Sequence, residues 1–227
     1  MQSNFLPNTP TVTRNLIFVN VVVFILTLIN KRFMMLNFAL FYPTSDLFHW
    51  WQPVTHMFMH GGFWHILFNM YTLFLFGSVV ERIIGEKKFL VFYFLCGFGA
   101  VALHLGVQYL ELQSYINGAE LGNQFSYQHI AEIKSVPTVG ASGAIYGVLI
   151  AYAMLFPDSR MTLLFPPVTL SAKWMVICFA ALELITGMNG MQAGVAHFAH
   201  LGGMLIGWLT VLYWKNRNIL FDKERLI

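Results

Sequence analysis

Ser142 lies between glycines in Gly140-Ala141-Ser142-Gly143, and His200 lies in Ala199-His200-Leu201-Gly202-Gly203. A serine hydroxyl is a poor nucleophile until a base takes its proton, and a neutral imidazole suits that task near pH 7. Glycines beside the serine let a substrate backbone approach and leave nearby N–H groups free for an oxyanion. His65 and Asn69 are four apart, hence on one helical face, and can supply further donors to that oxyanion. Tyr146, one turn beyond Ser142, is placed to pack on the imidazole and hold its ring. No carboxylate adjoins His200 in sequence. Glu183 is the one acid that could reach a comparable depth, readable as a buried hydrogen-bonded acid or as part of a gate. The pattern predicts a Ser142–His200 dyad rather than a triad.

Blander readings compete for the same residues. Gly143/Gly147 and Gly203/Gly207 have the small-xxx-small spacing by which membrane helices pack, and packing is the preferred reading of both pairs. That packing would itself draw Ser142 and His200 together. His65 and Asn69 taken alone would be an interhelical hydrogen bond, and His104 reads as structural. His197, one turn from His200, fits either the pocket or a structural role. His56, His60 and His65 form His-x3-His-x4-His, with His197 and His200 adding nitrogens, as a metal-dependent enzyme or carrier would require. Yet no cysteine or carboxylate joins that set, no His-Glu-x-x-His is present, and a metal leaves Ser142 unexplained.

These residues must be carried by membrane helices. The chain has 227 residues, 57% hydrophobic and 10% charged, with mean hydropathy +0.63. A soluble domain averages about 25% charged residues. Disordered, collagen-like and disulfide-scaffold classes are excluded, leaving a polytopic membrane bundle with short tails. The net charge of +3 does not point to nucleic acid. Cys96 and Cys178 lie in apolar runs, where a free thiol behaves as a small hydrophobe. The N-terminus carries neither a cleavable signal pattern nor an organelle-targeting segment, so a bacterial cytoplasmic membrane is expected.

Six apolar stretches approach spanning length: 15–30, 63–80, 89–110, 139–157, 174–188 and 195–214. All eight prolines fall outside them or at an edge, as helices require, and no barrel-length alternation appears. With the N-terminus inside, ten Lys and Arg lie on the inner side and three on the outer, which makes both termini cytoplasmic. The expected organisation is a tail at 1–14, an all-α six-helix membrane domain at 15–214 and a cytoplasmic tail at 215–227. Its 31–62 loop is apolar and interfacial, and its 111–138 loop is polar. This topology, fixed from charge alone, brings His65, Asn69, Ser142 and His200 to one depth although they span 135 residues of sequence.

From 16 to 214 the chain resembles the rhomboid intramembrane serine proteases. His65-Ile66-Leu67-Phe68-Asn69 is similar to the family's His-x-x-x-Asn, and Glu81-Arg82-Ile83-Ile84-Gly85 to its Glu-x-x-x-Gly. Gly140-Ala141-Ser142-Gly143 resembles the Gly-x-Ser-Gly nucleophile motif. Ala199-His200 with Gly203 and Gly207 resembles Ala-His-x-x-Gly-x-x-x-Gly. The resemblance implies a six-helix core, with Ser142 as nucleophile and His200 as base in a wet cavity open to the outer side. It further implies an oxyanion hole of the Ser142 N–H, His65 and Asn69, with His60 bracing the site from beneath the first outer loop. The fifth helix and the loop before the sixth would form the gate.

One departure is visible: Trp51-Gln52 stands where the family often has Trp-Arg, which bears on loop rigidity rather than catalysis. Both dyad residues are present, against an inactive relative. The expected activity is hydrolysis in or beside a substrate's transmembrane helix, without a cofactor. Substrates would be membrane proteins weakened by Gly or Pro near the cut. The alternatives are a non-catalytic binder of transmembrane helices and the metal-dependent protein above.

Overall fold

The computed structural model describes residues 9–162, 167–188 and 196–220. Parts of the expected tails (1–8 and 221–227) and the expected gate segment before the last helix (189–195) lie outside the described residues.

α1 (Thr11–Ile29) ends at Asn30, whose side chain accepts from Phe33 N–H at 3.1 Å and so starts α2 (Lys31–Phe38). Short α3 (Gln52–Thr55) runs into a 3-10 turn, His56–Phe58. α4 (Phe63–Thr72) continues through a π-helical turn, Leu73–Gly77, into α5 (Ser78–Ile84). Gly85, at φ +84°, ends that run and opens the 35-residue α6 (Glu86–Glu120). Gly122, also at φ +84°, reverses the chain into α7 (Gln124–Ser135), and α8 (Ser142–Leu155) follows. A small antiparallel ribbon of β1 (Arg160–Thr162) and β2 (Thr169–Ser171) leads to α9 (Ala172–Met188) and α10 (His197–Asn216).

The protein is mostly helical, and a helix lies in each of the six apolar stretches. Among the described residues, three helical runs, Thr11–Ile29, Phe63–Ile84 and Glu86–Glu120, are long and apolar enough to cross a membrane. The ribbon is a small exception to the all-α expectation. The 111–138 segment is not an open loop: α6 continues through Glu120 and folds back as α7, because no proline intervenes before the turn at Gly122. The 31–62 segment likewise contains α2, α3 and the 3-10 turn.

α10 packs against α6, α8 and α9. Its glycines set the distance: a methyl group on Gly203 would overlap the Gly143 carbonyl, and one on Gly207 would sit 2.9 Å from Gly147 Cα. Backbone contact of this kind needs the small residues that the sequence places on both helices. Phe89, Phe92, Tyr93, Cys96, Ile145 and Val148 fill the core between α6 and α8. α1 is docked by Glu81, whose carboxylate accepts from Val12 N–H, Thr13 N–H and Thr13 Oγ1 at 2.7–2.9 Å. An acid there meets the unpaired N–H groups and positive end of a helix. Large apolar side chains such as Leu28, Phe68, Trp174 and Leu182 face outward.

Candidate active site

The approach to Ser142 is clamped before α8 begins. Leu40 and Thr138 exchange backbone hydrogen bonds at 2.8 and 2.9 Å, and Gly140 N–H donates to the His56 carbonyl at 3.0 Å. His104 Nε2 lies 2.8 Å from Thr138 Oγ1, which ties the same segment to α6 and gives His104 the structural contact expected of it. Gly140 adopts φ +136°, and a Cβ there would stand 2.9 Å from His65 Nε2. Only glycine meets both demands. Ser142 is then the first residue of α8, where backbone N–H groups have no partner within the helix and the dipole is positive.

His200 occupies the first turn of α10, and its Nε2 lies 2.8 Å from Ser142 Oγ. The Gly143–Gly203 contact, one residue past Ser142 and three past His200, holds the two helix starts together. The Tyr146 ring stacks on the imidazole at a centroid distance of 4.3 Å and an interplanar angle of 12°.

The structure departs from the expected pair at His200 Nδ1. Glu183 Oε1, from α9, lies 2.9 Å away, off the ring N–H direction, as a close approach rather than an aligned hydrogen bond. The same oxygen accepts from Tyr146 Oη at 2.6 Å, while Oε2 meets His197 Nδ1 at 2.6 Å. Thr186 Oγ1 lies 3.1 Å from His197 Nδ1. His197 is thus bound to the acid rather than to Ser142. A dyad without a carboxylate does not describe this geometry. Sequence reasoning singled out Glu183 as a buried acid or gate element but not its contact with His200, because the rotation of α9 is decided by packing.

His65 and Asn69 face the same cavity as expected from their spacing, but Asn69 is already engaged: its Nδ2 donates to His60 Nε2 at 3.0 Å. His60 also meets the His65 ring edge-to-face at 5.0 Å and 70°. Burial, reinforced by neighbouring His65, holds the His60 imidazole down at about 3. Burial likewise brings His56 down to about 4, with His104 adding to the effect. The cavity encloses about 430 Å³ and is lined by Ser142, His200, His65, Asn69, Gly140 and Tyr146, among others.

Gln52, in the position where arginine was expected, is fully buried and ties the segment before the site: Oε1 accepts from Phe41 N–H at 3.2 Å and Nε2 donates to the Leu47 carbonyl at 2.9 Å. Nothing in the sequence announced that role. Among the described residues, no three His, Cys, Asp or Glu side chains are arranged to hold a metal ion.

The Rhomboid domain family model matches residues 47–217. The chain is 30% identical over 175 residues to the rhomboid protease AarA of Providencia stuartii, covering 74% of this chain and 57% of that protein. It is 34% identical over 175 residues to the human presenilin-associated rhomboid-like protein, mitochondrial, covering 72% of this chain and 39% of the relative. The putative rhomboid protease YdcA of Bacillus subtilis is 27% identical over 166 residues, with 71% and 68% covered. The matched part is thus about half the length of the first of these relatives and less of the second.

Proposed function

Because the chain belongs to the rhomboid family of integral membrane proteins, we propose that it is an intramembrane serine endopeptidase that cleaves in or beside transmembrane segments of other membrane proteins. The observation that carries this reading is the 2.8 Å approach of His200 Nε2 to Ser142 Oγ at paired helix starts. Ser142 attacks the scissile carbonyl as its proton passes to His200 Nε2. The oxyanion meets the Ser142 N–H at the start of α8, with His65 and Asn69 beside it. Collapse expels the amine, which takes the proton back from His200, and water in the cavity then hydrolyses the acyl-serine by the same relay. His60 braces Asn69 and His65 from below. Gly140 keeps the space above the serine open. Tyr146 fixes the imidazole plane. No cofactor takes part.

A helix hides its carbonyls in hydrogen bonds, so substrates carry Gly or Pro near the cut. The chain crosses the membrane six times with both termini cytoplasmic and the 1–14 and 215–227 tails inside. The cavity opens to the outer face of a bacterial cytoplasmic membrane. Labelling with a serine-reactive fluorophosphonate tests the centre of this reading. The parent should react, and Ser142→Ala and His200→Ala should not. Equal labelling of all three overturns it. A parent that binds a helix-weakened substrate but never cuts it would support the non-catalytic binder instead.

A further inference from the structure

We infer that Glu183 is a positioning residue for the His200 base, acting through the far nitrogen of its ring; this rests on the Ser142–His200 chemistry proposed above. For Nε2 to accept the serine proton, the neutral imidazole must carry its own proton on Nδ1. A carboxylate oxygen 2.9 Å from Nδ1 favours that tautomer and stabilises the imidazolium formed when Ser142 gives up its proton.

The acid is itself held. Oε1 takes the Tyr146 hydroxyl at 2.6 Å and Oε2 takes His197 Nδ1 at 2.6 Å, so both oxygens are fixed. Tyr146 therefore does two things, stacking under the imidazole and anchoring the acid at its edge. The groups facing the carboxylate come from α8 (Tyr146) and α10 (His197, His200), with Thr186 of α9 completing the cluster.

A packing role alone does not account for this acid. Leu182, Leu184 and Ile185 around it are exposed apolar residues, while Glu183 turns inward with Thr186 and is buried. A carboxylate in a membrane helix is costly unless it is partnered and used. The off-axis approach means that charge and proximity, rather than an aligned bond, carry the effect. The neutral isostere glutamine should therefore lose it.

The test combines kinetics with a spectroscopic readout on the full chain in detergent or vesicles. In 15N-histidine NMR, with His200→Ala assigning the signal, the parent should show His200 mainly as the Nδ1–H tautomer. Glu183→Gln should lower that population. With a helix-weakened transmembrane substrate it should reduce kcat about ten- to hundredfold and leave KM within about twofold. Tyr146→Phe keeps the ring stack and removes only the anchoring hydroxyl. It should shift tautomer and kcat in the same direction but less, and it serves if Glu183→Gln does not fold. Parent-like tautomer and kcat in whichever of the two variants folds overturn the inference. If the parent cleaves nothing, the proteolytic reading fails, while the tautomer measurement still decides the role of Glu183.

Discussion

Gly140 meets two constraints at once, a left-handed backbone angle of +136° and a histidine ring 2.9 Å from where a Cβ would stand. An alanine there would be strained by roughly 1–2 kcal/mol and would push His65 off the cavity wall. Gly140→Ala should lower kcat at least tenfold while shifting thermal unfolding only modestly. Gly106→Ala, in open space on α6, should leave both unchanged or raise stability slightly. The buried imidazoles of His56 and His60 make a second prediction. Their folded values, about 4 and about 3, lie below the ordinary histidine value of 6.5, so the unfolded chain binds protons that the folded chain refuses. Stability is full above about pH 6.5 and falls as pH drops toward those folded values, by roughly 2 kcal/mol per histidine at pH 5. Thermal unfolding at pH 7.5 and pH 5 measures this. The sequence offered these two residues to a metal or a brace; their resistance to protonation comes from burial, which spacing does not reveal.

The glycine pairs show what could be read in advance at the level of helices. Gly143, Gly147, Gly203 and Gly207 announced a close crossing of the fourth and sixth apolar stretches, and that crossing brings Ser142 to His200. Gly203→Val should disrupt it, costing several kcal/mol by overpacking against the Gly143 carbonyl and abolishing fluorophosphonate labelling. What escaped the sequence was rotation about an axis and the path of connections. Which side of α9 faces inward decides whether Glu183 meets His200, and its mostly apolar neighbours give too little periodicity to fix it. The helices inside 31–62 and 111–138 were hidden for another reason: the first segment read as an apolar interfacial loop and the second as a polar one, and neither composition says how the segment is folded. Glu81 was legible only as part of a motif, whereas the structure gives it three hydrogen bonds to the start of α1. Glu81→Gln should weaken that docking by about 1.5–3 kcal/mol, visible as earlier unfolding in detergent titration.

The molecule as a whole is apolar, with 57% hydrophobic and 10% charged residues. The distribution of Lys and Arg predicts that Arg217 and the N-terminal tail face the cytoplasm while the turn at Leu121 faces outward. Leu121 is 88% exposed, so in a Cys178→Ser background Leu121→Cys should react with an impermeant maleimide in intact cells. Arg217→Cys should react only after lysis, and the opposite pattern would invert the topology.

The 35 residues of α6 measure about 52 Å, against a hydrocarbon layer of about 30 Å. Its far end is stiffened by α7, with Tyr115 stacked on His129 at 4.7 Å and Gly118 fitted against Ser126. A protein of 25.9 kDa embedded in a micelle offers an electron microscope little to align on. This mast supplies a rigid stalk on which a fiducial domain, spliced in at Gly122, would inherit a fixed orientation and report every tilt of the buried body beneath it.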